Sequence, residues 1–257
     1  MIGAGGGLIA VPLLILVLGF ESDIAVGTSL FMTLFVAISA SIVFLRQGRA
    51  DKRLAIRFAI FTIPGAIAGA FIVDNVELSL FRTLFGMLMI ASSIYLLMAR
   101  AEKSTKISKK GLLRVVTDSD GEVFEFKVRM VTGYLVSLLV GFASSFFGIG
   151  GGIIMVPLMI GILGIPAQVA IATSQLIIVI TASGGTLTHS QLGNIALETA
   201  IPLTIGGMVG AQIGARAIKR AKGRSIRRLL AAGLALLGGR LIVACMSINL
   251  ARKKIEI

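Results

Sequence analysis

One segment of this chain is written twice. Gly3-Ala4-Gly5-Gly6-Gly7-Leu8-Ile9-Ala10-Val11-Pro12-Leu13 returns as Gly148-Ile149-Gly150-Gly151-Gly152-Ile153-Ile154-Met155-Val156-Pro157-Leu158, and at this offset of 145 residues 14 of the 27 positions from Gly3 to Ser29 are identical to their counterparts. The duplicated features are glycines, a proline and a Thr-Ser pair (Thr28-Ser29, Thr173-Ser174) rather than leucines. Both glycine runs lie inside long apolar stretches, where they interrupt helix. Irregular backbone at membrane depth survives only when it is buried in protein or lines a cavity, because lipid offers no hydrogen bonds. A pair of such interruptions, one in each half of a chain, is the best sequence pointer to a transporter's substrate site.

The solvent for most of this chain is lipid. Hydrophobic residues make up 56% and charged residues 14%, with a mean hydropathy of +0.97, whereas an ordinary soluble domain carries about 25% charged residues. Apolar spans are expected at residues 1–20, 24–45, 54–73, 78–99, 130–147, 151–164, 168–188, 196–215 and 229–247. Most reach the roughly 20 residues that cross a bilayer core. The two spans holding the glycine motifs are shorter or interrupted and read as helices that enter and turn back. The expected fold is therefore all-α: a polytopic integral membrane protein of inverted-topology repeats with glycine-broken re-entrant helices.

The net charge of +13 does not point to nucleic acid, because the basic residues cluster at span ends without interleaved aromatics. They mark topology instead. Arg46 to Arg57, Arg100 to Lys110, Lys127 to Arg129 and Arg216 to Arg228 are assigned to the cytoplasm. Asp74 to Glu77 and His189 to Glu198 lack Lys and Arg and are assigned to the outside. The basic loop Arg46-Gln47-Gly48-Arg49 aligns with Gln191-Leu192-Gly193-Asn194, so equivalent loops face opposite sides, as an inverted repeat requires. By the same tracing Arg252-Lys253-Lys254 falls outside, against the charge rule. The expected organisation is a first repeat over 1–99, a cytoplasmic linker over 100–129 and a second, inverted repeat over 130–257. The first repeat has no counterpart of residues 130–147, so a truncated or misassigned N-terminus, or a fragment, is expected. Within the linker, residues 115–126 alternate around Asp120-Gly121 and read as a short hairpin tethering the repeats.

The glycine motif lacks the preceding strand and the later acidic residue of a dinucleotide fingerprint. Two readings of it remain: tight helix packing, or an unwound turn whose free amides and helix-dipole ends at Gly7 and Gly152 converge on an anion. The hydroxyls of Thr28, Ser29, Thr173 and Ser174 either donate to that anion or back-bond to their own helix. Gln175 stands where the first repeat has Leu30, and a buried amide there needs a helix neighbour or a ligand. Arg240, inside an apolar span, either snorkels to an interface or lends charge to an anion path. Arg57 and Arg82, near span ends, read as snorkelling. His189, at the outer end of a span, is either an interfacial histidine or a titrating group for a coupled proton.

This constellation resembles the sulfite exporter (TauE/SafE) family of membrane permeases: paired G-x-GGG-x-x-x-V-P motifs, a following A-x-x-T-S, a basic loop between helices and a late small-residue span. The resemblance implies a transporter of sulfur oxyanions or small organosulfonates. By that match Gly5, Gly6, Gly7, Pro12, Thr28 and Ser29, with Gly150, Gly151, Gly152, Pro157, Thr173, Ser174 and Gln175, become candidate substrate-site positions.

The function expected is thus movement of a small anion across a prokaryotic plasma membrane by alternating access, one repeat rocking against the other. The alternatives are a passive anion channel or a carrier of another small solute on the same fold. A coupling proton or other ion is an open possibility, and no cofactor or nucleic acid is expected. The spans hold no Ser/His pair, paired aspartates or His-rich metal set, so an intramembrane enzyme is not expected. One His and the lone Cys245 provide neither a zinc site nor a disulfide.

Overall fold

Helix boundaries in this chain are set by glycines in a conformation that other L-residues adopt only with strain. In the computed structural model, which describes residues 6–98, 111–119, 121–218, 232, 233, 235–241 and 243, Gly6 (φ 84°) heads α1 and Gly151 (φ 76°) heads α6. Gly148 (φ 68°) ends α5, its N–H donating to the Ser144 carbonyl.

The duplication in sequence is a duplication of elements. Helices α1 (Gly7–Leu16), α2 (Ser22–Arg46) and α3 (Lys52–Val73) recur at the offset of 145, boundary for boundary, as α6 (Gly152–Gly161), α7 (Ala167–Gln191) and α8 (Leu197–Ile218). Between the two sets lie α4 (Leu78–Met98), strands β1 (Leu112–Thr117) and β2 (Val123–Val128), and α5 (Met130–Phe147). Four helices, α2, α3, α5 and α7, are long and apolar enough to cross a membrane. At ten residues each, α1 and α6 extend only about 15 Å, half the roughly 30 Å hydrocarbon core. Each also carries an internal proline, Pro12 or Pro157, whose missing N–H leaves a carbonyl of the first turn unbonded. These are the glycine-broken, half-crossing helices expected of the motif.

The two copies run in opposite directions. Asn194, in the loop after α7, donates from its side-chain amide to the Asp74 carboxylate at 2.9 Å, at the end of α3. Gly48, in the equivalent loop after α2, packs against Thr117 and Ser119 of the hairpin, at the start of α3. The 22 residues of α3 separate the two loops by about 33 Å, so equivalent loops lie at opposite ends of the molecule.

Small residues bring the helices together. A methyl group on Gly65 or Gly69 of α3 would sit 2.8 Å from the Phe142 nitrogen or 2.9 Å from the Phe146 nitrogen, and one on Gly141 of α5 would sit 2.7 Å from the Thr62 Cα. Such backbone approach is how helices associate where lipid removes the hydrophobic incentive. Phe81 and Phe85 of α4 meet Phe146 and Phe147 of α5 in tilted and edge-on contacts, with ring centroids 5.7–6.1 Å apart. They belong to an apolar cluster that also takes in Leu8, Val11 and Leu14 of α1.

The hairpin is more than a tether. Its strands pair antiparallel from Leu112 opposite Val128 to Thr117 opposite Val123, longer at the outer end than the expected residues 115–126. Phe126 and Val128 are fully buried, in one cluster with Leu54 and Phe58 of α3 and Met155 and Met159 of α6. Polar contacts complete the docking. Arg114 makes a two-pronged ion pair with Asp51, its Nε donating at 2.7 Å. Arg49 pairs with Asp118 at 3.0 Å, and the Ser119 amide donates to the Gln47 carbonyl at 2.9 Å. The hairpin docks because alternate residues of its strands face a cluster that α3 and α6 leave open. Gly5, Asp120, Cys245, Arg252, Lys253 and Lys254 fall outside the described residues.

Candidate functional site

The two glycine motifs meet. A methyl on Gly7 would fall 2.8 Å from the Ile149 Cα and closer still to the Gly148 carbonyl oxygen, so only glycine allows this approach. The Ser29 hydroxyl donates to that same Gly148 carbonyl at 2.8 Å, pinning the second turn to α2. Gly148 itself packs on Val26, Gly150 on Thr33 and Ile178, and Gly151 on Val140 and Ser144. Of the candidate residues, Gly7, Ser29, Gly150, Gly151 and Gly152 thus belong to one buried junction between the repeats, while Gly6 is exposed beside Met32.

Both short helices begin at this junction. The first amides to bond back to Gly6 are those of Ile9 and Ala10, and the first to bond back to Gly151 are those of Ile154 and Met155. The amides of Gly7, Leu8, Gly152 and Ile153 precede them, and neither helix has a side-chain cap. Two partly positive helix ends therefore face the join. Beside Gly151, the fully buried Ser144 hydroxyl has no partner among the described residues. Other buried hydroxyls in these helices bond to their own backbone, as Ser137 does to Gly133 and Thr181 to Ile177. A buried, unsatisfied hydroxyl costs about 1–3 kcal/mol, which a hydrogen-bonding ligand would recover.

The Thr-Ser pairs divide their work. Thr28 accepts from the Ala196 amide at 3.1 Å, and Thr173 accepts from the Asp51 amide at 3.0 Å. Residues 51 and 196 are themselves equivalent at the offset of 145. Each threonine therefore receives the N-cap amide of the last helix of the three-helix set in the other repeat, α8 or α3. Neither the anion-donor nor the back-bonding reading describes this. Ser174 does back-bond, to the Ile171 carbonyl at 2.8 Å. Gln175 is buried and makes no hydrogen bond to a described residue. Arg240 is exposed, on a helical segment whose Gly238 packs against Gly86 of α4, so the structure does not bring it to the buried turns.

Sequence reasoning passed over Ser144 and Ser145. Helical serines are ordinary, and the one available signal was their position, four and three residues before Gly148. His189 is not interfacial but fully buried, with Nε2 3.4 Å from the Ser145 carbonyl. A further cleft of about 440 Å³, lined by Phe31, Leu34, Ser183, Thr186, Leu187 and Ile195 among others, opens between α2 and α7. Its walls are mostly apolar.

Known proteins are similar in sequence to this chain over most of its length. The family described as Sulfite exporter TauE/SafE matches residues 1–241. The chain belongs to the TauE/SafE family. Within the curated relatives, the probable membrane transporter protein YunE of Bacillus subtilis is 29% identical over 249 residues, covering 94% of this chain and 91% of the relative. The probable membrane transporter protein MJ0441 of Methanocaldococcus jannaschii is 24% identical, covering 93% and 88%. The probable membrane transporter protein YfcA of Escherichia coli K12 is 24% identical, covering 94% and 83%. No solved structure gives a significant match. The TauE/SafE assignment and the apolar helices make this an integral membrane protein of a transporter family.

Proposed function

We propose that the protein carries a small anion, a sulfur oxyanion or organosulfonate, across a prokaryotic plasma membrane by alternating access at the paired glycine turns. The observation that carries this reading is the contact of Gly7 with Gly148 and Ile149, which brings two uncapped helix starts together inside the bundle. Free amides and dipole ends of this kind favour negative charge, and the unpartnered Ser144 hydroxyl adds a donor beside one of them. The Sulfite exporter name of the family agrees with an oxyanion.

The hairpin end is assigned to the cytoplasm, since Arg46, Arg49, Lys52, Arg53 and Arg57 gather there while Asp74, Glu77 and Glu198 lie at the other end. On this reading residues 1–99 and 130–257 act as two inverted repeats joined by the 100–129 segment. The test is uptake of ³⁵S-sulfite, thiosulfate and sulfate into reconstituted vesicles by the wild type, Ser144→Ala and Gln175→Ala. Saturable uptake, weakened by Ser144→Ala without loss of folded protein, is expected. Flux that rises linearly with concentration and follows only the voltage would indicate a channel. Flux unchanged in both variants would remove the proposed site.

A further inference from the structure

Apart from the ion-paired Asp51 and Asp118 at the hairpin end, His189 is the one buried titratable side chain among the described residues. It lies two residues before the end of α7, enclosed by three other segments. A methyl on Gly27 of α2 would sit 3.1 Å from its Cβ, Ser145 of α5 offers its carbonyl to Nε2 at 3.4 Å, and the Asn194 amide donates to its backbone carbonyl at 2.8 Å. With Nε2–H directed at that carbonyl, the neutral ring presents a bare lone pair at Nδ1. Nδ1 is buried and has no partner among the described residues. The hydroxyl of Ser145, the residue whose carbonyl holds the ring, is also buried and unpartnered among them.

The charged groups that act on the ring are Asp23 on α2 and Asp74 at the end of α3. Residues 130–147 of α5 contain no charged side chain, and α7 contains none besides His189. Glu21, Glu77 and Glu198 share this end of the molecule without being among the charges that reach the ring. A buried imidazole with one nitrogen anchored and the other free has an open position for a proton; burial opposes the charged form and the two carboxylates favour it. Ser145 is three residues before Gly148, whose carbonyl takes the Ser29 hydrogen bond. The ring is thereby in contact with the arm that carries the glycine turn.

We propose that His189 binds the proton that accompanies the anion, an inference that rests on the anion-transport reading above. One proton from the outer solution bonds to Nδ1, converting imidazole to imidazolium while Nε2–H keeps its carbonyl. The same proton leaves Nδ1 for the other side after the turns rearrange. One proton and one monovalent anion then cross together, with no net charge moved.

The chain contains a single histidine, so selective ¹⁵N-histidine labelling of the detergent-solubilised wild type gives one imidazole to follow by NMR. Spectra are followed from about pH 8 down to pH 5, the interval in which histidine charge changes usually fall, and the ring is expected to change protonation state within it. A ring that keeps one protonation state across that range overturns the proposal without any variant having to fold. In vesicles, ³⁵S-sulfite exchange at equal pH reports anion transport itself. Accumulation under a gradient of about one pH unit, inside alkaline, reports coupling, with about ten-fold enrichment expected for one proton per anion. His189→Gln should retain exchange and lose the enrichment. Enrichment that persists in His189→Gln overturns the role of His189. Absence of exchange in the wild type sinks the anion reading instead, and the NMR titration then decides alone whether the ring takes a proton.

Discussion

Replacing Gly7 by alanine tests the contact on which the site depends. The added methyl would lie 2.8 Å from the Ile149 Cα and 3.0 Å from the Ser29 hydroxyl oxygen. Carbon atoms sit about 3.5 Å apart at rest, so the two turns must part by roughly 0.7 Å. Both crowded partners are fixed: one is backbone, and the other is held by its bond to Gly148. Overpacking of this kind costs about 1–3 kcal/mol, and loss of the Ser29–Gly148 hydrogen bond adds about 1 kcal/mol, for a total on the order of 2–4 kcal/mol. Gly184→Ala is the control. It is also in a helix, but its methyl would meet only Ile63 at 3.9 Å, and relief of glycine's backbone entropy should stabilise by about 0.5–1 kcal/mol. Thermal unfolding in detergent, followed by circular dichroism and by sulfite flux in vesicles, should place Gly7→Ala well below wild type and Gly184→Ala at or above it. Equal stability and equal flux for Gly7→Ala and wild type would refute close contact of the two turns.

Thr28→Val and Thr173→Val should each strand one helix-cap amide and lower stability by about 1–3 kcal/mol in the same unfolding assay. The bonds lie at opposite ends of the molecule, so the double variant should show the sum within about 0.5 kcal/mol, and a large departure would contradict the assignment of separate caps. Arg114→Ala leaves the buried Asp51 without its ion partner and should cost on the order of 3 kcal/mol, read as faster proteolysis within residues 111–128 alongside a lower unfolding temperature. Its hydrogen bond to Asp51 holds the Arg114 guanidinium above its ordinary pKa. A group shifted upward contributes fully below its unfolded value and is lost only as pH rises through the folded one. Hairpin protection should accordingly persist to about pH 11, and its loss near pH 9 would argue against the pair.

The repeat and its direction were legible in the sequence because they rest on backbone chirality and on charge. Gly6, Gly148, Gly150 and Gly151 adopt left-handed conformations that other side chains resist, and the Arg49-to-Asn194 exchange marks a loop that changed sides. What escaped depends on partners distant in sequence. Nothing local to Thr28 announces the Ala196 amide 168 residues away, and a serine such as Ser144 looks the same in sequence whether its hydroxyl bonds to its own helix or finds no partner among the described residues. The hairpin's alternation was visible, but the apolar surface that receives Phe126 and Val128 exists only once α3 and α6 have packed. His189 was placed at an interface because span ends usually are interfacial. The close approach allowed by Gly27 carries it inside.

The exchange of caps has a consequence for how the polypeptide holds together. Thr28 completes the start of α8 and Thr173 completes the start of α3, so neither half possesses all the groups needed to finish its own helices. A polypeptide severed between residues 98 and 111 should yield two fragments that are unstable apart and rescue each other when made in the same cell. Any motion that opens a path through the bundle must carry these crossed attachments along or break them.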